Sequence, residues 1–415
     1  MKQLQNIFSI LNKKKNDNKS LSKKMIQNDS KAIDNNNFII INKRYEIKKK
    51  IVKKRYPDID LIRILGMYAI VFHHVLLHGK ALSKYSKYKK LHLANIYSYW
   101  HVCSFALVSG IVGYKTNKYS NLLYIWLWAL FYSVGVFLAC KKFKPQVVKY
   151  SRFYMKFFPI ISNKNWYLSK YFGLYLFLPV INKGISVLTK IEFQLLVSSI
   201  LCIYIIWNDL LNPGVDVFTN FFGYSVLSLL MLYLVGAYIG KYRIKFHGII
   251  NKIIVCLFCI FVYFSSSLLC YKLRYKDKIK SKILLKVKIL YAMRINSIPM
   301  ISQAFSIIFF SMQLKYNKYI AKLITFIGPL TFGIYLIHEN QFLRDIFIKT
   351  LFIKDSINLP CRSVIKLALI RASKIFVICF MIDYVRHLLF CLLRIRKLCI
   401  LFEKSIYKIF EKFFN

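Results

Sequence analysis

Apolar runs long enough to cross a membrane recur along this chain from residue 58 onward. A transmembrane helix needs roughly 17–25 predominantly apolar residues. Such runs fall at 59–78, 95–114, 121–140, 167–183, 193–211, 221–240, 249–271, 295–314, 319–338 and 374–396. They are continuously apolar rather than alternating, which selects helices over barrel strands. The expected architecture is all-α, a polytopic transmembrane helix bundle of about ten spans.

The charge would suggest something else if taken alone. There are 64 Lys plus Arg against 16 Asp plus Glu, a formal net charge of +48. Yet hydrophobic residues make up 57% and charged residues only 19%. An ordinary soluble domain is about 45–50% apolar even with Gly counted, and about 25% charged. The combination excludes a disordered chain, an ordinary soluble enzyme and a small disulfide scaffold. The basic residues flank the apolar runs and form no single patch, so no nucleic-acid partner is expected. Membrane lipids are the expected partner of these loops, since anionic headgroups contribute about 1 kcal/mol per nearby Lys or Arg. The cysteines lie mostly inside apolar runs and read as small hydrophobes. Cys256-x-x-Cys259 has no second pair and reads as packing, not as a metal site.

Three segments follow. Residues 1–56 form a basic, Lys/Asn-rich tail without apolar periodicity, expected to be disordered and cytoplasmic. Residues 57–400 form the membrane domain, and residues 401–415 a basic amphipathic C-terminal tail. The patch Ile7–Leu11 is too short for the apolar core of a signal peptide. Lys53, Lys54 and Arg55 favour a cytoplasmic N-terminus for this multi-pass membrane protein. An even span count then places Arg394, Arg396 and Lys397 on the same side. The basic loops at 84–90, 141–156 and 272–288 blur that signal, and the acidic loop carrying Asp209 and Asp216 falls outside. No repeat of fixed period is present, which disfavours repeat-built transporter folds.

Ionisable groups within a span cost about 2.5–3.5 kcal/mol each on insertion scales, so they tend to line cavities. The first span gathers Asp58, Asp60, Arg63, His73, His74 and His78. His74 lies eleven steps along the helix from Arg63, about 1100° of turn, so both share one face roughly 16 Å apart. Asp60 and His78 neighbour that stripe, whereas His73 points 100° away and reads as structural. Two readings stand open. One is a polar track from the cytoplasmic surface to mid-membrane that ends in an imidazole. The other is an interfacial Arg63–Asp60 pair with histidines bonded to neighbouring helices. A second constellation is Tyr335, His338 and Glu339, which can converge at one helix end. A third is Asn165-Trp166-Tyr167 with Tyr171, Tyr175 and Pro179, which taken alone is an interfacial aromatic belt. Asp383 can pair with Arg386 or His387 and reads as structural.

Taken in order, these stretches resemble the integral-membrane acyltransferase-3 family, and more narrowly its polysaccharide O-acetyltransferase branch. That family carries an Arg or Lys, ten residues, then a His in its first span, as Arg63 and His74 do. Further matching stretches are Phe105-Ala-Leu-Val-Ser109-Gly110, Trp166-Tyr167 with Tyr171-Phe-Gly173, Gly223-Tyr224-Ser225, Tyr233-Leu-Val-Gly236-Ala-Tyr238, Asn296-Ser297-Ile-Pro299 and Phe332-Gly333-Ile-Tyr335-Leu-Ile-His338-Glu339. They cover residues 58 to about 350. Ile111 stands where the family has Tyr after Ser-Gly, and the basic motif after that span is reduced to Lys115 and Lys118.

The resemblance implies transfer of an acyl group, usually acetyl, from cytoplasmic acyl-CoA to a sugar hydroxyl of a glycan or lipid-linked glycan. Acyl-CoA is then a co-substrate, with no permanently bound cofactor and no metal. His74 would serve as general base and Arg63 would hold a phosphate or the thioester carbonyl of CoA. His338, Glu339, Tyr335, Ser109, Trp166 and His78 would bind the acceptor or orient His74. The competing expectation is a transporter or flippase that uses the same polar track.

Overall fold

Each of the ten apolar runs overlaps helix, as continuous apolarity requires where backbone groups must pair within their own segment. The computed structural model describes residues 55–116, 118–148, 153–161, 165–202, 223–243, 248–275, 297–349 and 359–414. Among them every regular element is helical. The tail before residue 55, the acidic loop of Asp209 and Asp216, and the basic stretch from 276 through Asn296 lie outside the described residues. The long helices, in chain order, are α1 (Pro57–His78), α2 (Lys89–Ile96), α3 (His101–Gly113), α4 (Ser120–Phe143), α5 (Trp166–Val187), α6 (Lys190–Ser199), α7 (Val226–Lys241), α8 (Ile249–Tyr275), α9 (Ile298–Gln313), α10 (Lys318–Ile327), α11 (Thr331–His338), α12 (Cys361–Leu392) and α13 (Ile395–Phe414).

Six segments, rather than about ten, are long and apolar enough to cross a membrane among the described residues: Pro57–His78, Lys89–Gly113, Ser120–Phe143, Ile249–Lys272, Lys318–His338 and Cys361–Leu392. Helices α7 and α9 are apolar but shorter. Helix α5 has the length, but Lys170, Asn182, Lys183 and its tyrosines dilute it. The molecule is an all-helical integral membrane protein. Its outer helices carry the exposed apolar side chains that lipid demands, Leu257, Phe258 and Phe261 on α8 and Val377, Met381 and Val385 on α12.

Helix α1 is the axle. Pro57 enters its first turn, where a missing N–H costs nothing, and Asp58 and Asp60 meet the positive end of the helix dipole. Its first turns join an apolar cluster with α3, α5, α7 and α9. Its upper half joins a second cluster with α4, α11 and α12. The functional side chains of α1 therefore face a space between two cores.

Helices α3 and α7 meet backbone to backbone. A Cβ on Gly110 would collide with the Tyr233 carbonyl, one on Gly236 with that of Leu107, and one on Gly240 with that of Ile111. Gly236 and Gly240 form the small-xxx-small pattern that permits such approach in membranes. Ile111 is buried in this seam and does not face the cavity described below. Asn182 of α5 locks the end of α3. It donates to the carbonyls of Gly113 (3.1 Å) and Thr116 (2.8 Å) and accepts from Tyr233 Oη (2.8 Å). Helix α12 ends where Arg394 takes a φ of 51°, and α13 runs on from Ile395 through the boundary expected at 401.

Candidate active site

The site is built where the upper half of α1 meets the end of α11. His338 Nδ1 lies 2.7 Å from the Ile334 carbonyl, which can only accept, so Nδ1 carries the proton. His338 Nε2 is then a lone pair, and His74 Nδ1 stands 3.0 Å from it. His74 must therefore donate from Nδ1, which leaves its Nε2 as the basic nitrogen. Glu339 Oε2 is also 3.0 Å from His74 Nδ1 and lies 3.5 Å from His78 Nε2. The other oxygen of Glu339 accepts from Arg344 Nη1 at 3.1 Å. A carboxylate fixed behind an imidazole holds its tautomer and stabilises the imidazolium formed when it takes a proton.

Arg63 lies nearer the start of the same helix. Its Nη1 donates to Asp60 Oδ1 at 2.6 Å, and its side chain keeps 28% exposure. Asp60 is itself pressed by the α10–α11 bend, where a Cβ on Gly328 would collide with the Asp60 side chain. Asp58 pairs with Arg243. The guanidinium of Arg63 is thus held but still presented.

Arg63 and His74 line a single cavity of about 520 Å³. Met67, Ile70, Val102, Phe105 and Phe332 supply apolar wall between them. Trp166, Tyr224, Tyr167 and Tyr171 form an aromatic side, with the Trp166 and Tyr224 rings 4.5 Å apart. A third side is polar. His73 Nδ1 lies 2.8 Å from Asn95 Oδ1, and Asn95 Nδ2 donates to Tyr99 Oη at 3.0 Å. His101 stands beside His73, ring centroids 5.8 Å apart.

A buried ion pair braces the wall behind Trp128. Asp383 Oδ1 accepts from Trp128 Nε1 (3.0 Å), Tyr132 Oη (2.8 Å) and Arg386 Nε (3.0 Å), and its Oδ2 accepts from Arg386 Nη2 (2.8 Å). The Arg386 guanidinium lies 3.9 Å over the Trp128 ring. Gly333 lets α11 approach this carboxylate, and a Cβ there would strike it.

Most residues expected in the site are brought together. Arg63, His74, His78, Ser109, Trp166, Tyr335 and Glu339 all line the cavity. His338 does not. It is fully buried, packed between His74 and Tyr335, so of its two expected roles only contact with His74 matches its place. Ser109 Oγ donates to the Phe105 carbonyl at 2.7 Å. His73, expected to be structural, lies on the cavity wall, because the cavity wraps around that corner of α1. Asp383 chooses Arg386 over His387. His101, Asn95 and Trp128 were not anticipated, and Tyr224 was singled out only within the stretch Gly223-Tyr224-Ser225. An ionisable residue within a span is a functional candidate by default, and that signal alone singles out His101. His74, His78 and Glu339 each offer a ligand atom within 4.8 Å of the others, so these three could hold a metal ion.

Comparison with known families gives one match: a model described as an acyltransferase domain aligns with residues 56–382. No curated protein and no solved structure matches the chain.

Proposed function

The chain belongs to the acyltransferase domain family, and from that premise we propose that it moves an acyl group, most simply acetyl, from cytoplasmic acyl-CoA to a hydroxyl of a glycan or lipid-linked glycan, as the polysaccharide O-acetyltransferase branch does. The observation that carries this reading is the state of His74: its Nδ1 is bonded to His338 with Glu339 Oε2 3.0 Å away, and its Nε2 is left as the basic nitrogen on a cavity wall. Arg63 on the same cavity is suited to a CoA phosphate or the thioester carbonyl.

The reaction then follows from the side chains. The acceptor hydroxyl gives its proton to His74 Nε2 as its oxygen attacks the thioester carbonyl. The carbon–oxygen bond forms, the carbon–sulfur bond breaks, and the departing sulfur takes the proton back from His74. Glu339 stabilises the imidazolium between these steps. The apolar walls keep water from the thioester. A transporter reading of the same track is not favoured, since the family is one of acyltransferases.

The test is transfer of label from radiolabelled acetyl-CoA to carbohydrate in a membrane glycan extract by the full chain in detergent. Label that appears with the parent and not with His74→Ala supports the reading. Equal labelling by His74→Ala removes His74 as the base.

A further inference from the structure

The polar side of the cavity has no task in the transfer just described, yet it is built as a binding surface. His101 is only 7% exposed and lines the cavity, and neither of its ring nitrogens has a hydrogen-bond partner among the described residues. Leaving a buried polar group unpaired costs about 1–3 kcal/mol, so such groups ordinarily find a partner. His101 is at the first turn of α3 with its ring toward His73, and a neutral imidazole there offers one donor and one acceptor.

His73 is fixed in the complementary sense. Asn95 spends its Nδ2 on Tyr99, so its Oδ1 must accept from His73 Nδ1. That leaves His73 Nε2 as an acceptor. His73 sits between His101 and His74, with ring centroids 5.8 Å and 5.7 Å away. The row His101, His73, His74 therefore presents hydrogen-bonding groups beside the base, next to the aromatic rings of Trp166 and Tyr224.

We infer that His101 and His73 form an acceptor subsite that binds a second hydroxyl of the glycan, next to the one that receives the acyl group. The inference rests on the proposed acyl transfer to a hydroxyl. Neighbouring hydroxyls on a sugar ring are close enough for one to face His74 while the next faces His73 and His101. The aromatic wall matches the apolar face of such a ring. An acceptor without that second hydroxyl would leave His101 to water, and a site built to bond a hydroxyl discriminates against analogues that lack it.

The experiment uses the full chain in detergent, radiolabelled acetyl-CoA and a membrane glycan extract, with each substrate titrated at saturation of the other. The variants are His101→Ala and His101→Asn; the second retains both donor and acceptor capacity and carries the test if the first does not fold. The expected result for His101→Ala is a KM for the glycan extract raised about tenfold or more, the size of one lost hydrogen bond, with the KM for acetyl-CoA within about twofold. His101→Asn should recover part of the loss. An unchanged glycan KM, a rise confined to the acetyl-CoA KM, or a fall in kcat alone would each overturn the subsite. A parent chain that labels no carbohydrate above the His74→Ala background removes the acyltransferase reading beneath it, a failure distinct from the other three.

Discussion

The Asp383 carboxylate fills the space that a side chain on Gly333 would need. The consecutive helices α11 and α12 approach this closely because residue 333 has no Cβ. The carboxylate reached in this way holds Trp128, Tyr132 and Arg386 at once. Trp128 is cavity wall, and α11 ends in the His338 and Glu339 that set His74. The brace therefore shapes the site without touching a reactant.

Removing one partner of a buried ion pair costs about 3–5 kcal/mol, because the other charge is left stranded. Asp383→Ala should lower stability by an amount of that order, read as thermal unfolding in detergent. Gly333→Ala should also destabilise, through overpacking. Because both disturb one contact, the double variant should lose clearly less than the sum of the singles. Strict additivity would mean that the two residues are not coupled.

Glu339→Gln keeps the shape of the side chain and removes the charge that faces His74. The expected effect is a fall in kcat on the order of 10²-fold or more, with the KM for acyl-CoA little changed. Combined with His74→Ala it should add almost nothing, as groups that act as a unit do. Steady-state kinetics on the four proteins decides the matter, and a multiplicative double variant would assign the two residues separate tasks.

Arg63→Ala should act on binding. A hydrogen bond to a charged group contributes about 1.5–3 kcal/mol, so the KM for acyl-CoA should rise about 10- to 100-fold. Arg63→Lys should recover only part of this, since it keeps the charge but loses the planar fork. If the KM for acyl-CoA does not move in either variant, Arg63 serves only its pair with Asp60.

How much of this was legible in the sequence depends on how far apart the partners lie along the chain. Arg63 and His74 share a helix, so elementary helical geometry places them on one stripe. Nothing local brings Glu339 to His74, and only the packing of α11 on α1 does so. Adjacent residues on a helix point about 100° apart, and of His338 and Glu339 only Glu339 lines the cavity. The sequence leaves open which one turns inward. The same rule set His73 aside, and the structure places it on the cavity wall. Asp383 was legible as half of an ion pair. Its role as a brace depends on Gly333, 50 residues earlier, which local sequence does not connect to it. Among the described residues the count of spans stays at six because α7 and α9 stop after 16 residues, at Lys241 and Gln313.

Acyl transfer by this chain should not depend on a metal ion. His74, His78 and Glu339 are close enough to share a divalent ion, and the proposed chemistry does without one. A cation at His74 Nδ1 would need that nitrogen deprotonated and would break its contact with His338 Nε2, the contact that leaves Nε2 basic. Arg344 already places a fixed positive charge 3.1 Å from Glu339 Oε1, which opposes a second cation on that carboxylate. Prolonged dialysis against EDTA or phenanthroline should therefore leave acyl transfer within about twofold. Elemental analysis of the purified chain should find zinc well below one equivalent. Loss of transfer on chelation that zinc restores, and that His78→Ala abolishes at low zinc, would turn the same three residues from a base and its support into a metal centre.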